Sequence, residues 1–285
     1  MRNVENQKQQ SVASQKPLKK LAGLIVALTT PFTDRNTLDR KMLVRHLRFL
    51  DEHKVRTLLV NGTTGEFFSM TRRERRRLHT IAREHFAGTM IYHASSHSLA
   101  DTVAEAQWGE KNGADAVAAL SPYYLSGLQS DGLINYFNAI SGSISIPFII
   151  YNHAKHTQNP VTKKVLEKVR YFGLKDSTKN YTLISSAKCY YVGTDSDMVR
   201  PNSRGGIGFV SACANFEPEL FVKIARALNR KDYAAAKRLQ KDAAALSARC
   251  SGPKKIALVK KEISRKLSGY PITVRLPLVE LAKEE

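Results

Sequence analysis

Short apolar runs alternate with amphipathic stretches along most of this chain. The apolar runs at 23–28, 56–60, 89–93, 116–120, 147–151, 172–175, 190–193 and 207–211 have the length of buried strands. Helical periodicity falls between and after them, at 37–53, 71–86, 98–112, 130–142, 161–170, 179–188, 196–203 and 217–228. Thr71-Arg72-Arg73-Glu74 fits a capping box, with Leu78, Ile81 and Ala82 as the apolar stripe behind it. Ser98-Leu99-Ala100-Asp101 opens the next helix in a similar way, and Asn112-Gly113 stops it. Pro218 belongs in the first turn of its helix, where a missing N–H costs little.

Eight strand–helix units in series predict parallel strands joined by crossover helices, and eight closes a (β/α)8 TIM barrel. The rival is an open doubly wound sheet. Its Gly-rich dinucleotide turn is missing, because Thr29-Thr30-Pro31-Phe32 follows the first strand. Two further helical stretches at 231–249 and 254–267 read as extra C-terminal helices. The expected organisation is a flexible basic tail over 1–20, the barrel over 21–228 and a helical extension over 229–285.

The start of the chain has no apolar centre of a secretory signal, and no run approaches a membrane span. Cys189, Cys213 and Cys250 have no paired spacing, which suits reduced thiols in a cytoplasmic protein and neither a disulfide framework nor a zinc site. The net charge of +20 raises nucleic acid as a partner. The basic residues are spread over solvated faces of several helices, including the run from Arg72 to Arg77, with no nucleic-acid motif beside them. Attraction of anionic small molecules is the expected consequence.

In barrels of this kind chemistry gathers at the C-terminal ends of the strands. Strand 2 runs into Asn61-Gly62-Thr63-Thr64-Gly65-Glu66, whose glycines let the backbone approach a carboxylate or phosphate. Strand 4 ends in Ser121-Pro122-Tyr123-Tyr124, strand 5 in Tyr151-Asn152, strand 6 in Lys175 and strand 7 in Gly193-Thr194-Asp195. A strand-end lysine commonly snorkels or pairs with an aspartate. Burial without such a pair lowers its pKa, and a neutral amine attacks ketones. Lysine, two tyrosine sites and a Thr-Thr turn at one mouth supply a Schiff-base nucleophile, a phenol relay and an anion cradle. Most other lysines lie in amphipathic or polar stretches.

These residues, with Gly173-Leu174-Lys175-Asp176 and Gly205-Gly206-Ile207-Gly208, resemble the dihydrodipicolinate synthase/N-acetylneuraminate lyase family of pyruvate-dependent class I aldolases over about residues 21–285. The resemblance implies that Lys175 forms a Schiff base with a 2-oxo acid and that Tyr151 shuttles the proton, relayed by Thr63 and Tyr124. Thr63 and Thr64 then hold the pyruvyl carboxylate, and the Val210 backbone faces the pyruvyl group. It also implies a covalent mechanism without a cofactor, an aldehyde as second partner, and a homotetramer built as a dimer of dimers. In such oligomers the tyrosine matching Tyr124 reaches in from a neighbouring subunit.

The chain departs from the pattern at His153-Ala154-Lys155-His156-Thr157-Gln158. Dihydrodipicolinate synthases have arginine where His156 stands, and an imidazole cannot reproduce bidentate guanidinium binding. Asp176 and Gly65-Glu66-Phe67-Phe68-Ser69 look more like the sugar-acid branches. The expectation is therefore an aldolase of 2-keto-3-deoxygluconate type, with the synthase or a keto-deoxy sugar-acid dehydratase as alternatives. His153 and His156 are expected to line the substrate pocket rather than hold a metal, and Asp195 is a candidate for a substrate hydroxyl.

Overall fold

A computed structural model describes residues 20–282, so the tail expected over 1–20 lies, apart from Lys20, outside the described residues. Eight parallel strands close into a barrel in sequence order. They are β1 Gly23–Ala27, β2 Thr57–Val60, β3 Thr89–His93, β4 Ala116–Leu120, β5 Phe148–Asn152, β6 Gly173–Asp176, β7 Tyr190–Val192 and β8 Gly208–Ser211. β1 closes onto β8 with Ile25 opposite Val210. The helices are α1 Arg40–Glu52, α2 Arg72–His85, α3 Leu99–Lys111, α4 Ser130–Gly142, α5 Ala154–Thr157, α6 Lys163–Lys168, α7 Val199–Ser203, α8 Pro218–Asn229, α9 Tyr233–Arg249 and α10 Lys255–Lys266.

Side chains alternate across each strand. Ile25, Leu59, Ile91, Ala118, Ile149 and Val210 form one cluster inside the barrel. Their neighbours, such as Leu24, Val26, Leu58 and Ile150, belong to the larger core under the helices. Tyr191 is fully buried in the inner cluster. A Cβ on Gly173 would meet its ring at 2.8 Å and one on Gly208 at 3.0 Å, so these two glycines make room for it.

The helix starts follow the local signals. Thr71 and Glu74 make the reciprocal capping box. Ser98 accepts from the Asp101 amide at 3.0 Å, but the Asp101 carboxylate takes the Ser98 hydroxyl rather than its backbone, so that box is incomplete. Asp39 caps α1 by accepting from the Met42 amide.

Two expectations need correction. The helix expected over 179–188 is only a 3-10 turn at Ile184–Ser186. Lys179 and Tyr181 both have left-handed backbone, at φ 62° and 59°, and the Asn180 side chain accepts from the Thr182 amide and hydroxyl. That local geometry ends any helical run. Nor are the basic helices wholly solvated. Arg75 on α2 is 5% exposed and Lys260 on α10 is 0% exposed. Arg75 donates to the carbonyls of His93 and Ser95, both at 2.8 Å, and so ties α2 to the loop after β3.

After α10 the described residues form no helix or strand and return to the loops after β1 and β2. Tyr270 and Val274 are buried there. Arg275 pairs with Glu74 and its amide donates to Glu66 at 2.9 Å. Lys260 lies 2.5 Å from Glu66 and donates to the Thr273 carbonyl at 2.6 Å. The C-terminal segment is thus pinned to the loop that follows β2.

Candidate active site at the barrel mouth

Lys175 is the third residue of β6, and the strand period turns it into the barrel. It sits between Tyr151 on β5 and Tyr191 on β7 in the sheet register. Its Nζ donates to Ser177 Oγ at 3.1 Å and lies 3.4 Å from the centre of the Tyr151 ring. A Cβ on Gly193 would fall 3.1 Å from this nitrogen and 2.2 Å from Ser177 Oγ, so glycine keeps the space around the amine open. Burial drives the Lys175 pKa below its ordinary value, against the pull of Tyr151 and Asp176, and Lys255 adds to the lowering.

Asp176, the next residue, faces the opposite side of the strand. It accepts from Asn152, the Thr178 amide and the Tyr190 hydroxyl, and so ties the ends of β5 and β6 to the first residue of β7. Lys175 therefore has a carboxylate beside it in sequence but none in contact with its amine.

Tyr151 is buried, and its hydroxyl is 3.2 Å from Thr63 Oγ1. Burial pushes the phenol up, but the Lys175 charge, the Thr63 hydrogen bond and Lys255 together bring it below its usual value. His93 supports the ring edge-on at 5.7 Å. It is itself fixed by the Asn61 carbonyl at 2.8 Å and Ser95 Oγ at 2.9 Å, and burial lowers its pKa to about 3.

Thr63 and Thr64 occupy a 3-10 turn, Thr63–Gly65. Gly65 has to be small, because a Cβ there would meet the Leu28 carbonyl at 2.8 Å. A cavity of about 130 Å³ brings Thr63, Thr64, Tyr151, Lys175, Val210 and Asp195 together, with His153, His156 and Lys255. A second cavity of about 290 Å³ adjoins it, walled by Phe67, Phe68, Leu120, Tyr123 and the two histidines. The histidine rings lie 4.1 Å apart. Burial, then the Lys175 charge, lowers His153 to about 3, and burial with Lys155 and Lys175 lowers His156.

Two sequence candidates stand apart. Asp195 lines the inner cavity, but its carboxylate accepts from the Ser211 hydroxyl and the amides of Ala212 and Cys213, which leaves it committed to the turn after β8. Tyr124 is 99% exposed and held at φ 86°, and within the chain it makes no contact with Tyr151. Its neighbour Tyr123 faces the outer cavity instead, against His97 and Phe67.

Sequence reasoning quoted Gly193, Tyr123 and Phe67 in motifs without giving them a role, and passed over Ser177 and Lys255. Ser177 was accessible in principle, since it follows Lys175 by two and shares its face. Lys255 carried no local signal. It begins α10, and only the tertiary fold brings a second amine into the cavity.

The family model described as the dihydrodipicolinate synthetase family matches residues 20–285. The chain is 30% identical over 235 residues to an uncharacterised DapA-like lyase of Pyrococcus abyssi, covering 78% of this chain and 79% of that one. It is 30% identical over 277 residues to the 4-hydroxy-tetrahydrodipicolinate synthase of Methylobacterium radiotolerans, covering 93% and 92%. A prophage protein of the dihydrodipicolinic acid synthase family from E. coli K12, solved in complex with pyruvate, superposes with a TM-score of 0.86 at 21% identity, over 93% of this chain and 94% of that one.

Proposed function

The chain belongs to the dihydrodipicolinate synthetase family of pyruvate-dependent class I aldolases and lyases, and from that premise we propose that it is a 2-keto-3-deoxygluconate-type aldolase. The observation that carries this reading is the pair His153 and His156, whose rings lie 4.1 Å apart in the wall of the outer cavity, where burial lowers the pKa of both. Neutral imidazoles hydrogen-bond to hydroxyls and lack the charge for an ion pair with a carboxylate. They suit the hydroxylated tail of a sugar acid.

Lys175, held toward its neutral form by burial, attacks the C2 ketone, and loss of water from the carbinolamine gives an iminium. The Thr63–Thr64 turn holds the carboxylate. Tyr151, acidified by its neighbours, takes the proton from the C4 hydroxyl. The C3–C4 bond breaks and its electron pair moves into the iminium, leaving an enamine of pyruvate and releasing the aldehyde. Protonation at C3 and hydrolysis return pyruvate and the free amine. The covalent intermediate supplies the electron sink, so the reaction calls for no external cofactor.

Tyr124 completes the relay from a second copy of the chain. A fully exposed tyrosine held in a left-handed backbone conformation suits a residue that inserts into a neighbour, and we infer a homo-oligomer, a dimer of dimers. No described helix is long and apolar enough to cross a membrane, and we place the enzyme in the cytoplasm. Light scattering on the wild type and on Tyr124→Ala tests the assembly, with a smaller species expected from the variant.

Lys255 favours a second reading. Its ammonium lines the inner cavity and can take a substrate carboxylate that His156 cannot. In that case the aldehyde is aspartate semialdehyde and the enzyme is a 4-hydroxy-tetrahydrodipicolinate synthase, as the Methylobacterium radiotolerans relative is named. A panel decides between them: cleavage of 2-keto-3-deoxygluconate, its galactose epimer and N-acetylneuraminate, beside condensation of pyruvate with aspartate semialdehyde. Cleavage of the gluconate at least tenfold faster than condensation supports the aldolase. The reverse ranking gives the second reading.

A further inference from the structure

A second concavity lies away from the barrel mouth. It is a basin of about 770 Å³ at the opposite end of the barrel, where the strands begin. Gly23 and Leu24 of β1, Thr57 of β2 and Thr89 of β3 form its floor. The floor is kept low by small residues: a Cβ on Gly88 would meet the Arg56 carbonyl at 2.6 Å, and Gly23 has left-handed backbone at φ 86° facing Ala225.

The wall is cationic. Lys20, Lys54, Arg56, Arg83 and Arg226 line it, and Asp115 is the one carboxylate in the lining. Arg83 is held by Asp115 at 3.4 Å and by the Gly88 carbonyl at 2.9 Å. Arg56 pairs with Asp51 at 2.5 Å from the rim. The side chains of Lys20, Lys54 and Arg226 have no ion-pair or hydrogen-bond partner among the described residues.

Part of this charge has an ordinary explanation. α1, α2 and α8 all end here, and cations near a helix C-terminus offset a dipole end of about half a negative charge each. Those three ends, with Asp115 and Asp51, still leave an excess of roughly one to two positive charges on a concave surface. Like charges gathered around a cavity repel one another, and a bound anion removes that repulsion. Lys20, Lys54 and Arg226, without a partner among the described residues, offer several charge-assisted donors to a single ligand on this floor.

We propose that this basin binds a small phosphorylated anion carrying at least two negative charges, on the face opposite the Schiff-base lysine. The proposal does not depend on which aldehyde the mouth accepts. Inorganic phosphate chains and nucleotide phosphates share the chemistry, so both tripolyphosphate and ATP are used as probes.

The test is titration calorimetry on the full chain at moderate salt with each probe. Two double variants are compared. Lys54→Gln/Arg226→Gln removes two basin cations, and Lys237→Gln/Lys241→Gln removes the same charge from an exposed face of α9. The expected result is saturable one-to-one binding, weakened about tenfold or more in the basin variant (about 1.4 kcal/mol) and changed less than twofold in the α9 variant. Tighter binding of ATP assigns the site to a nucleotide, and equal binding assigns it to the phosphate chain alone. Acetylation footprinting adds an independent readout on the unaltered protein: the probe should protect Lys20 and Lys54 and leave Lys237 reactive. Equal weakening in both double variants, absence of saturable binding, or competition between the probe and pyruvate for borohydride trapping overturns the proposal.

Discussion

Two lysines are buried at the same end of this barrel, and they do opposite things. Lys175 is 5% exposed and Lys260 is 0% exposed. Burial lowers the pKa of both. Lys260 has Glu66 at 2.5 Å and the Thr273 carbonyl at 2.6 Å, and the carboxylate pulls its pKa back toward the charged form. Lys175 has a serine hydroxyl and the face of a tyrosine ring. Burial alone therefore does not make a lysine reactive. A buried ammonium with a carboxylate is a structural fastener, and a buried amine without one is held ready to lose its proton.

Exchanging their circumstances is the strongest way to break this contrast. Lys175→Ala should abolish turnover and leave no borohydride adduct with pyruvate, while the melting temperature stays level or rises because a costly buried amine is gone. Detectable adduct at another residue would remove Lys175 from its role. Tyr151→Phe keeps the ring under the amine and deletes the hydroxyl. The expected loss is about 10²–10⁴-fold in kcat, the usual contribution of a general acid–base group, with trapping by pyruvate retained.

Lys260→Met should show the converse. The surroundings of Lys175 are untouched, but Glu66 loses its cation and is left as a buried carboxylate without an ion pair, a defect that typically costs about 3–5 kcal/mol. Denaturant unfolding measures it. The double variant Lys260→Met/Glu66→Gln should recover part of that loss, and failure to recover any would mean that the pair is not what holds the C-terminal segment to the β2 loop.

The same contrast governs what the sequence disclosed. The barrel, its strand order and the convergence of Lys175, Tyr151, Thr63 and Thr64 follow from short apolar runs alternating with helical stretches and from local turn signals, because each strand carries its own pattern. Lys260 sits in a helical stretch that reads as basic and solvated, and nothing local marks it as buried. Its partner lies 194 positions earlier in the chain. Arg75 and Lys255 escaped for the same reason. The helix expected over 179–188 fails to form for another reason, since the left-handed residues Lys179 and Tyr181 are not of the types that announce such backbone.

Acid sharpens the comparison from a third side. His46 and His79 are buried and neutral, with pKa values lowered by burial to about 4. Their folded values lie below the unfolded value of 6.5, so the unfolded chain takes up protons first as pH falls. Stability from these groups is complete above about pH 6.5 and is lost between there and pH 4. By pH 5 each should cost about 2 kcal/mol. His46→Gln should flatten this slope in chemical unfolding curves taken between pH 7 and 5, and an unchanged slope would mean that other groups set the acid limit.

The smallest expected effect is the most informative about Lys175. Burial lowers the Lys175 pKa first, and the Lys255 charge adds to it. Lys255→Met removes that charge while leaving Tyr151, Ser177 and the apolar surroundings in place. The amine should then hold its proton to higher pH, so the rising limb of Schiff-base formation with pyruvate moves in the alkaline direction. The fully deprotonated rate should change little, because the nucleophile itself is untouched. Rapid-mixing trapping across pH measures the limb directly. A shift toward acid, or a lower plateau with no shift, would mean that Lys255 contacts the substrate rather than setting the charge state of Lys175, which would favour the reading in which it anchors a second carboxylate.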